Sequence, residues 1–303
     1  MNLVNFNQFQ VRKKTYGGAN GNKLSICIGD SLYMLKLPFH ATKNKNLSYT
    51  NSCISEYLGS HIFNMIGIKA QETILGEYEY NGVKRISVAC KDFEEDGYVL
   101  KDFASVKNQI IDSKSNGYGT DINEILETIE QQSLIDPVFL SNTFWEMFVI
   151  DALLGNWDRH NGNWGFLYNQ GTDDIKIAPI FDCGSCLFPQ IDADIIDTIM
   201  KDKSQLNARI FNFPTSALLY NGKRINYYDF IQNHEFKECD NAIIRIKNKI
   251  NFDDINLLID DIPCISVKHK NFLKLIIKKR FDAYFNFYML SVKLVGYEYL
   301  NLN

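Results

Sequence analysis

The sequence predicts an α+β protein of two lobes: a small β-rich amino-terminal lobe with one main helix, residues 1–93, and a larger, mainly helical lobe, residues 94–303. Three observations predict this. Short apolar runs separated by the turn pairs Gly29-Asp30 and Asn81-Gly82 fill the amino-terminal third, which is hairpin patterning. Beyond about residue 98 the apolar spacing becomes helical. No repeat, low-complexity tract or proline-rich linker separates the halves, so one fused unit is expected, and 303 residues suit about two domains of roughly 150 each.

In chain order, Tyr16-Gly17-Gly18-Ala19-Asn20-Gly21-Asn22-Lys23 is a glycine-rich turn between strands. Its glycines let backbone amides approach phosphate oxygens closely. It is not a Walker A loop, because Leu24 follows Lys23 and the glycine spacing differs. Leu24 to Ile28 and Leu32 to Leu37 form a hairpin whose last strand carries Lys36. A lysine inside an apolar strand is costly unless paired. Glu56 is the natural partner, in a helix from Asn51 to Ile66 whose apolar stripe (Ile54, Tyr57, Leu58, His61, Ile62, Met65) stops at Gly67. His61, on that stripe, reads as a core histidine. Ala70 to Tyr80 and Val83 to Lys91 pair through Asn81-Gly82, and Ser87 to Phe93 leads out of the sheet.

In the second lobe, Asp121 caps a helix from Ile122 to Gln132. Pro137 opens a long apolar helix that runs through Trp145, Phe148 and Leu153 to Gly155 and delivers Asp158. Trp145, Trp157 and Trp164 read as packing. Ile175 to Phe181 reads as a strand whose end holds Asp182, and Gly184 then lets the chain bend away. Helices follow near Asp192 to Met200, Tyr227 to Gln232, Asp240 to Ile250, Phe252 to Ile259 and Val267 to Val295.

Composition excludes some functions. Hydrophobic residues at 46% and charged residues at 22% describe a globular chain, and a net charge of −4 gives no support to binding of nucleic acid or an anionic membrane. Met1 to Gln10 is polar and no apolar run reaches about 18 residues, so neither a signal peptide nor a transmembrane segment is expected. Seven scattered cysteines suit a reducing, cytoplasmic setting, while export to a host cell is not legible either way. Cys183 and Cys186 have C-x-x-C spacing but no second pair to complete a zinc site, and read as incidental.

The chemistry is carried by Gly155-Asn156-Trp157-Asp158-Arg159-His160-Asn161-Gly162-Asn163, followed nineteen residues later by Asp182-Cys183-Gly184. In phosphoryl transfer a carboxylate takes the hydroxyl proton, while an amide oxygen and a second carboxylate hold Mg²⁺ against the nucleotide phosphates. Asp158, Asn163 and Asp182 fit those roles in that order, and the Asn161-Gly162 turn lets Asp158 and Asn163 face one cleft. His160 either donates to the transferred group or braces the loop. Ile177 to Met200 contains no lysine or arginine and carries Asp182, Asp192, Asp194 and Asp197, which favours a neutral protein hydroxyl over an anionic lipid headgroup as acceptor.

Together with Gly17-Gly18-Ala19-Asn20-Gly21, Lys36 and Glu56, these motifs resemble the bacterial HipA-like kinases over nearly the whole chain. The resemblance implies a two-lobed protein-kinase-like fold and an ATP- and Mg²⁺-dependent serine/threonine protein kinase, with autophosphorylation open. It implies that Asp158 is the catalytic aspartate, that Asn163 and Asp182 bind Mg²⁺ and that Lys36 holds the α- and β-phosphates. The exit from the sheet, with Cys90 and Asp92, would be the hinge whose backbone contacts adenine. Unlike HipA-type toxins, the chain reaches its glycine turn by Gly17 and has no serine or threonine between Gly17 and Lys23, so the resemblance does not carry over inhibition by autophosphorylation in that loop or docking to an antitoxin. The Asp-Arg-His-x-x-Asn form is also similar to phosphoinositide kinases, which is the second reading; a non-catalytic nucleotide-dependent module is the third.

Overall fold

The computed structural model describes residues 1–17, 23–38, 50–110 and 116–286. Six strands, β1 (Val4–Asn5), β2 (Gln10–Arg12), β3 (Lys23–Ile28), β4 (Ser31–Lys36), β5 (Thr73–Tyr80) and β6 (Val83–Lys91), form one sheet in the spatial order β1-β5-β6-β4-β3-β2. β1 runs parallel to β5 and the other pairs are antiparallel. The two-residue period of the strands sorts their side chains. Ile26, Leu35 and Ala89 join Phe6 on one face. Val88 and Cys90 turn to the other, where α1 (Ser52–Met65) packs. Lys36 follows Leu35 and pairs in register with Val88, so it lies on the α1 face. Register alone therefore brings Lys36 toward Glu56, which is buried on α1.

The chain then forms β7 (Tyr98–Asp102), α2 (Phe103–Ile110), α3 (Ile122–Gln131), α4 (Pro137–Leu154), β8 (Gly165–Asn169) and β9 (Asp174–Ile177), with β7, β8 and β9 in a small antiparallel sheet. There follow α5 (Ala193–Lys201), α6 (Lys203–Asn207), the hairpin β10 (Thr215–Tyr220) and β11 (Lys223–Asn226), α7 (Tyr227–Gln232), α8 (Lys237–Lys247), α9 (Phe252–Asp260) and α10 (Val267–Phe281). The core centres on α4. Asp136 caps it by accepting from the Phe139 amide at 2.7 Å, Pro137 occupies its first turn, and Gly155 ends it at φ 66° in the left-handed region. Among the described residues α4 is a helix long and apolar enough to cross a membrane, yet 61% of it is buried inside the protein. Its apolarity is that of a core helix.

Three expectations need correction. The strand before Asp182 stops at Ile177, because Ile180 leaves the small sheet to bridge Ala70 beside α1. The second lobe is mainly helical, as expected, but it also contains β7 and the β10–β11 hairpin, which were not expected. The last helix closes at Phe281 and continues in wider turns over Asp282–Asn286; its expected remainder, 287–295, lies outside the described residues.

Candidate active site

Between the large sheet and the helical part lies a cleft of ≈ 640 Å³ lined by Gly17, Lys36, Glu56, Asp92, Asp158, His160, Asn163 and Asp182. Lys36 Nζ is 2.8 Å from Glu56 Oε2 and 2.9 Å from Asp182 Oδ1, so one ammonium joins strand β4, helix α1 and the Asp182 segment. Burial would lower the Lys36 amine, but Asp182 and Glu56 outweigh it and hold the amine well above its usual value. Lys36 in turn draws the Asp182 carboxyl down to about 2 against its own burial. Lys36 and Asp182 are therefore both ionised at neutral pH.

The Asp182 segment is held by its neighbours more than by a strand. The Gln71 amide donates to Ile180 O at 2.8 Å, and the Cys183 amide donates to Glu56 Oε1 at 3.0 Å. Asp182 itself takes φ 57°, so the left-handed turn falls on the aspartate where Gly184 was expected to supply the bend. Aspartate is among the few residues that tolerate this region. Gly59 on α1 is required here, because a Cβ at that position would lie 2.6 Å from the Cys183 Cβ.

The loop carrying Asp158 and Asn163 is tied to itself and to the core. Asn156 Oδ1 accepts from the Asp158 amide at 3.1 Å, and Asn163 Nδ2 donates to Asp158 O at 2.9 Å. The Asn163 amide nitrogen is thus committed, which leaves its oxygen as the atom suited to a cation. Burial raises the Asp158 carboxyl above its ordinary value; His160 opposes this and Asp182 adds to it. His160 Nδ1 accepts from the Gly162 amide at 3.0 Å, so the ring braces the turn through that nitrogen.

Sequence reasoning had passed over Arg159, and it is the residue that joins the two active segments. Its side chain is 3% exposed, and Nε contacts Asp151 Oδ2 at 2.9 Å. Nη1 donates to Asn163 O at 2.7 Å and also to Phe181 O, next to Asp182. The signal was Asp151, a carboxylate inside an apolar helix that must find a partner. Lys23 was also passed over; it lines the cleft and donates to Gly17 O at 2.6 Å, closing the stem of the glycine turn.

The expected hinge residues separate. Cys90 is fully buried in the core and its side chain does not line the cleft, so only its backbone could serve the expected hinge contact. Asp92 does line the cleft, but its carboxylate is already engaged by Tyr16 Oη at 2.8 Å, Lys14 Nζ at 2.6 Å and the Glu94 amide at 3.0 Å. It clamps the stem of the glycine turn to the exit from the sheet. Phe93 and Glu94 supply the cleft wall there. Of the glycine turn, Gly17 lines the cleft, while Gly18, Ala19, Asn20 and Gly21 lie outside the described residues.

A β-rich lobe with one buried helix, a helical lobe and this cleft between them define the kinase-like fold class. The chain belongs to the HipA-like C-terminal domain family, whose model matches residues 15–245. It is 47% identical over 269 residues to the serine/threonine-protein kinase CtkA of Helicobacter pylori strain J99, which covers 88% of this chain and 82% of that protein. The crystal structure of a Helicobacter pylori proinflammatory kinase CtkA superposes with a TM-score of 0.90 at 43% identity, over 96% of this chain and 98% of the other. HipA from the Shewanella oneidensis MR-1 toxin–antitoxin system, solved with HipB and operator DNA, shares the fold alone: TM-score 0.51 at 12% identity, over 91% of this chain and 68% of the other.

Proposed function

We propose that this protein is an ATP- and Mg²⁺-dependent serine/threonine protein kinase, with residues 1–93 as the nucleotide-side lobe and 94–303 as the acceptor-side lobe. The observation that carries the reading is Lys36 bonded at once to Glu56 and Asp182, with Asp158 and Asn163 lining the same cleft. Bound ATP would take contacts from the Lys36 ammonium, which keeps Glu56 as its fixed partner. Asn163 and Asp182 would hold Mg²⁺, which supplies charge neutralisation at the phosphates. Their donor set fits that ion: one amide oxygen and one carboxylate, both hard ligands. Among the described residues no group of three or more His, Cys, Asp and Glu comes together that could hold a metal ion, so phosphates and water would complete the shell, as Mg²⁺ prefers. Asp158 then accepts the proton of the attacking hydroxyl, its raised carboxyl making it a better base than an ordinary aspartate.

The kinship with a named serine/threonine-protein kinase over most of both chains supports a protein hydroxyl as the acceptor. The stretch from Ile177 to Met200, free of lysine and arginine, supports it further. Incubation with labelled ATP and Mg²⁺, with protein and phosphoinositide acceptors side by side, tests both points. Labelled protein is expected, and Asp158-dependent labelling of lipid alone would replace the reading. Calorimetry should show Mg²⁺-dependent ATP binding that Asp182→Ala weakens by about 10-fold or more. Equal binding by the variant would remove Asp182 from the metal site.

A further inference from the structure

The β10–β11 hairpin is fastened to the catalytic loop from two sides. On one side, the Leu219 amide donates to Thr120 O at 2.8 Å and Thr120 Oγ1 donates to Ala217 O at 2.9 Å. The adjoining Gly117 and Gly119 carbonyls both accept from Asn161 Nδ2, at 2.9 and 2.8 Å, within the loop that carries Asp158. On the other side, Tyr227 Oη, directly beyond β11, donates to Asn156 O at 2.6 Å, and Asn156 Oδ1 holds the Asp158 amide. Arg224 sits between these anchors: it is the register partner of Leu219 and lies three residues before Tyr227. Its backbone is thereby fixed relative to Asp158.

Arg224 is exposed, and its charge acts on the Asp158 carboxylate. Among the described residues no ion pair engages its guanidinium, whereas the cations on the sheet side of the cleft are already committed. Lys36 is held by Glu56 and Asp182, Lys14 by Asp92 and Glu94, and Lys23 by Gly17 O. On the helical side the cleft wall carries the carboxylates Asp102 and Asp158. Arg224, outside the lining of the cleft itself, is an uncommitted cation on the hairpin tied to that side.

We propose that Arg224 is a specificity determinant that pairs with an acidic side chain of the protein acceptor, close in sequence to the hydroxyl that Asp158 serves. This rests on the protein-kinase reading. A planar guanidinium matches a carboxylate bidentately. A single free arginine beside two aspartates suits one carboxylate better than the several phosphates of a lipid headgroup. The pairing is made beside the cleft, on the hairpin tied to the catalytic loop, so it acts on the choice of acceptor.

The test uses the full chain and a set of peptides with one serine each, carrying Asp, Ala or Lys in turn at every flanking position. For wild type, kcat/KM at one position should favour Asp over Lys by about 10-fold. Arg224→Ala should level that preference and Arg224→Glu should reverse it, through the peptide KM, with the KM for ATP unchanged and any change in kcat the same for every peptide. An unchanged preference in Arg224→Glu, with or without an equal fall in kcat on all peptides, overturns the role of Arg224 while leaving the kinase reading intact. Wild type that labels phosphoinositide vesicles and no peptide overturns the kinase reading itself, and the role of Arg224 with it.

Discussion

Arg159 and Lys36 are both cations paired with carboxylates beside one cleft, and they are built in opposite ways. Arg159 is 3% exposed and its partner Asp151 is 1% exposed. Each guanidinium nitrogen is engaged: Nε by Asp151, Nη1 by Asn163 O and Phe181 O, Nη2 by Asp151 Oδ1 at 3.3 Å and Cys183 Sγ at 3.6 Å. Lys36 is 15% exposed and one of its partners, Asp182, is 42% exposed on the cleft. A planar fork that is fully used cannot release a partner without stranding a buried charge. A lysine with three donors and a solvent-facing partner can exchange that partner for a phosphate. Arg159 is a fixed tie between the two active segments, whereas Lys36 is a contact that a ligand can rearrange.

The largest expected effect follows from the fixed tie. Arg159→Met leaves Asp151 buried with the Asn156 amide as its remaining partner, at 2.9 Å. Removing one member of a buried pair costs about 3–5 kcal/mol, which lowers Tm by on the order of 10 °C for a chain of this size. Lys36→Met should cost less, because Glu56 keeps the Cys183 amide and Asp182 keeps access to water. Thermal melts of the two variants decide it, and a larger loss for Lys36→Met would invert the comparison.

Asp158→Asn probes chemistry with the scaffold untouched. Turnover should fall by about 10²-fold or more, about 2.7 kcal/mol on the barrier, the scale of a positioned acid–base group. Nucleotide binding should stay near wild type and the fold should not be weakened, since the asparagine fills the same space and the backbone bonds to Asn156 and Asn163 persist. Single-turnover assays with measured ATP affinity separate the two quantities. Turnover close to wild type would take the proton-accepting role from Asp158.

What the sequence revealed divides along the same line. The Lys36–Glu56 pairing was legible because each residue breaks a local pattern, one in an apolar strand and the other on a helix beside an apolar stripe. Asp151 and Arg159 were harder to join: Arg159 sits in a polar loop where an arginine attracts no notice, and only the tertiary path brings it under Asn163 and Phe181. The β10–β11 hairpin was missed although Asn221-Gly222 repeats the signal that located Asn81-Gly82, and both pairs take positive φ. Its strands are short and fall between two helical stretches, in 201–226, to which no element was assigned. Cys90 was expected at the exit from the sheet for its backbone; its side chain is in the core, which the strand period accounts for.

The smallest effect concerns pH and compares the two cleft aspartates. Asp182 lies at about 2, below the ordinary value of 3.8, so its contribution to stability is present above about pH 4 and is lost as pH falls toward 2. Asp158 is raised, chiefly by burial, so the fold favours its neutral form and loses stability as pH rises from the ordinary value through the raised one. The same ionisation is what activity needs. The acid limb of kcat/KM should therefore lie above the ordinary aspartate range, where Asp182 is already fully ionised. Melts across pH 2–7 should show Asp158→Asn gaining on wild type as pH rises, and Asp182→Asn losing to it as pH rises from about 2 to 4. Two variants with slopes of the same sign would mean that the Lys36 ammonium and the burial of the loop do not divide the two carboxylates.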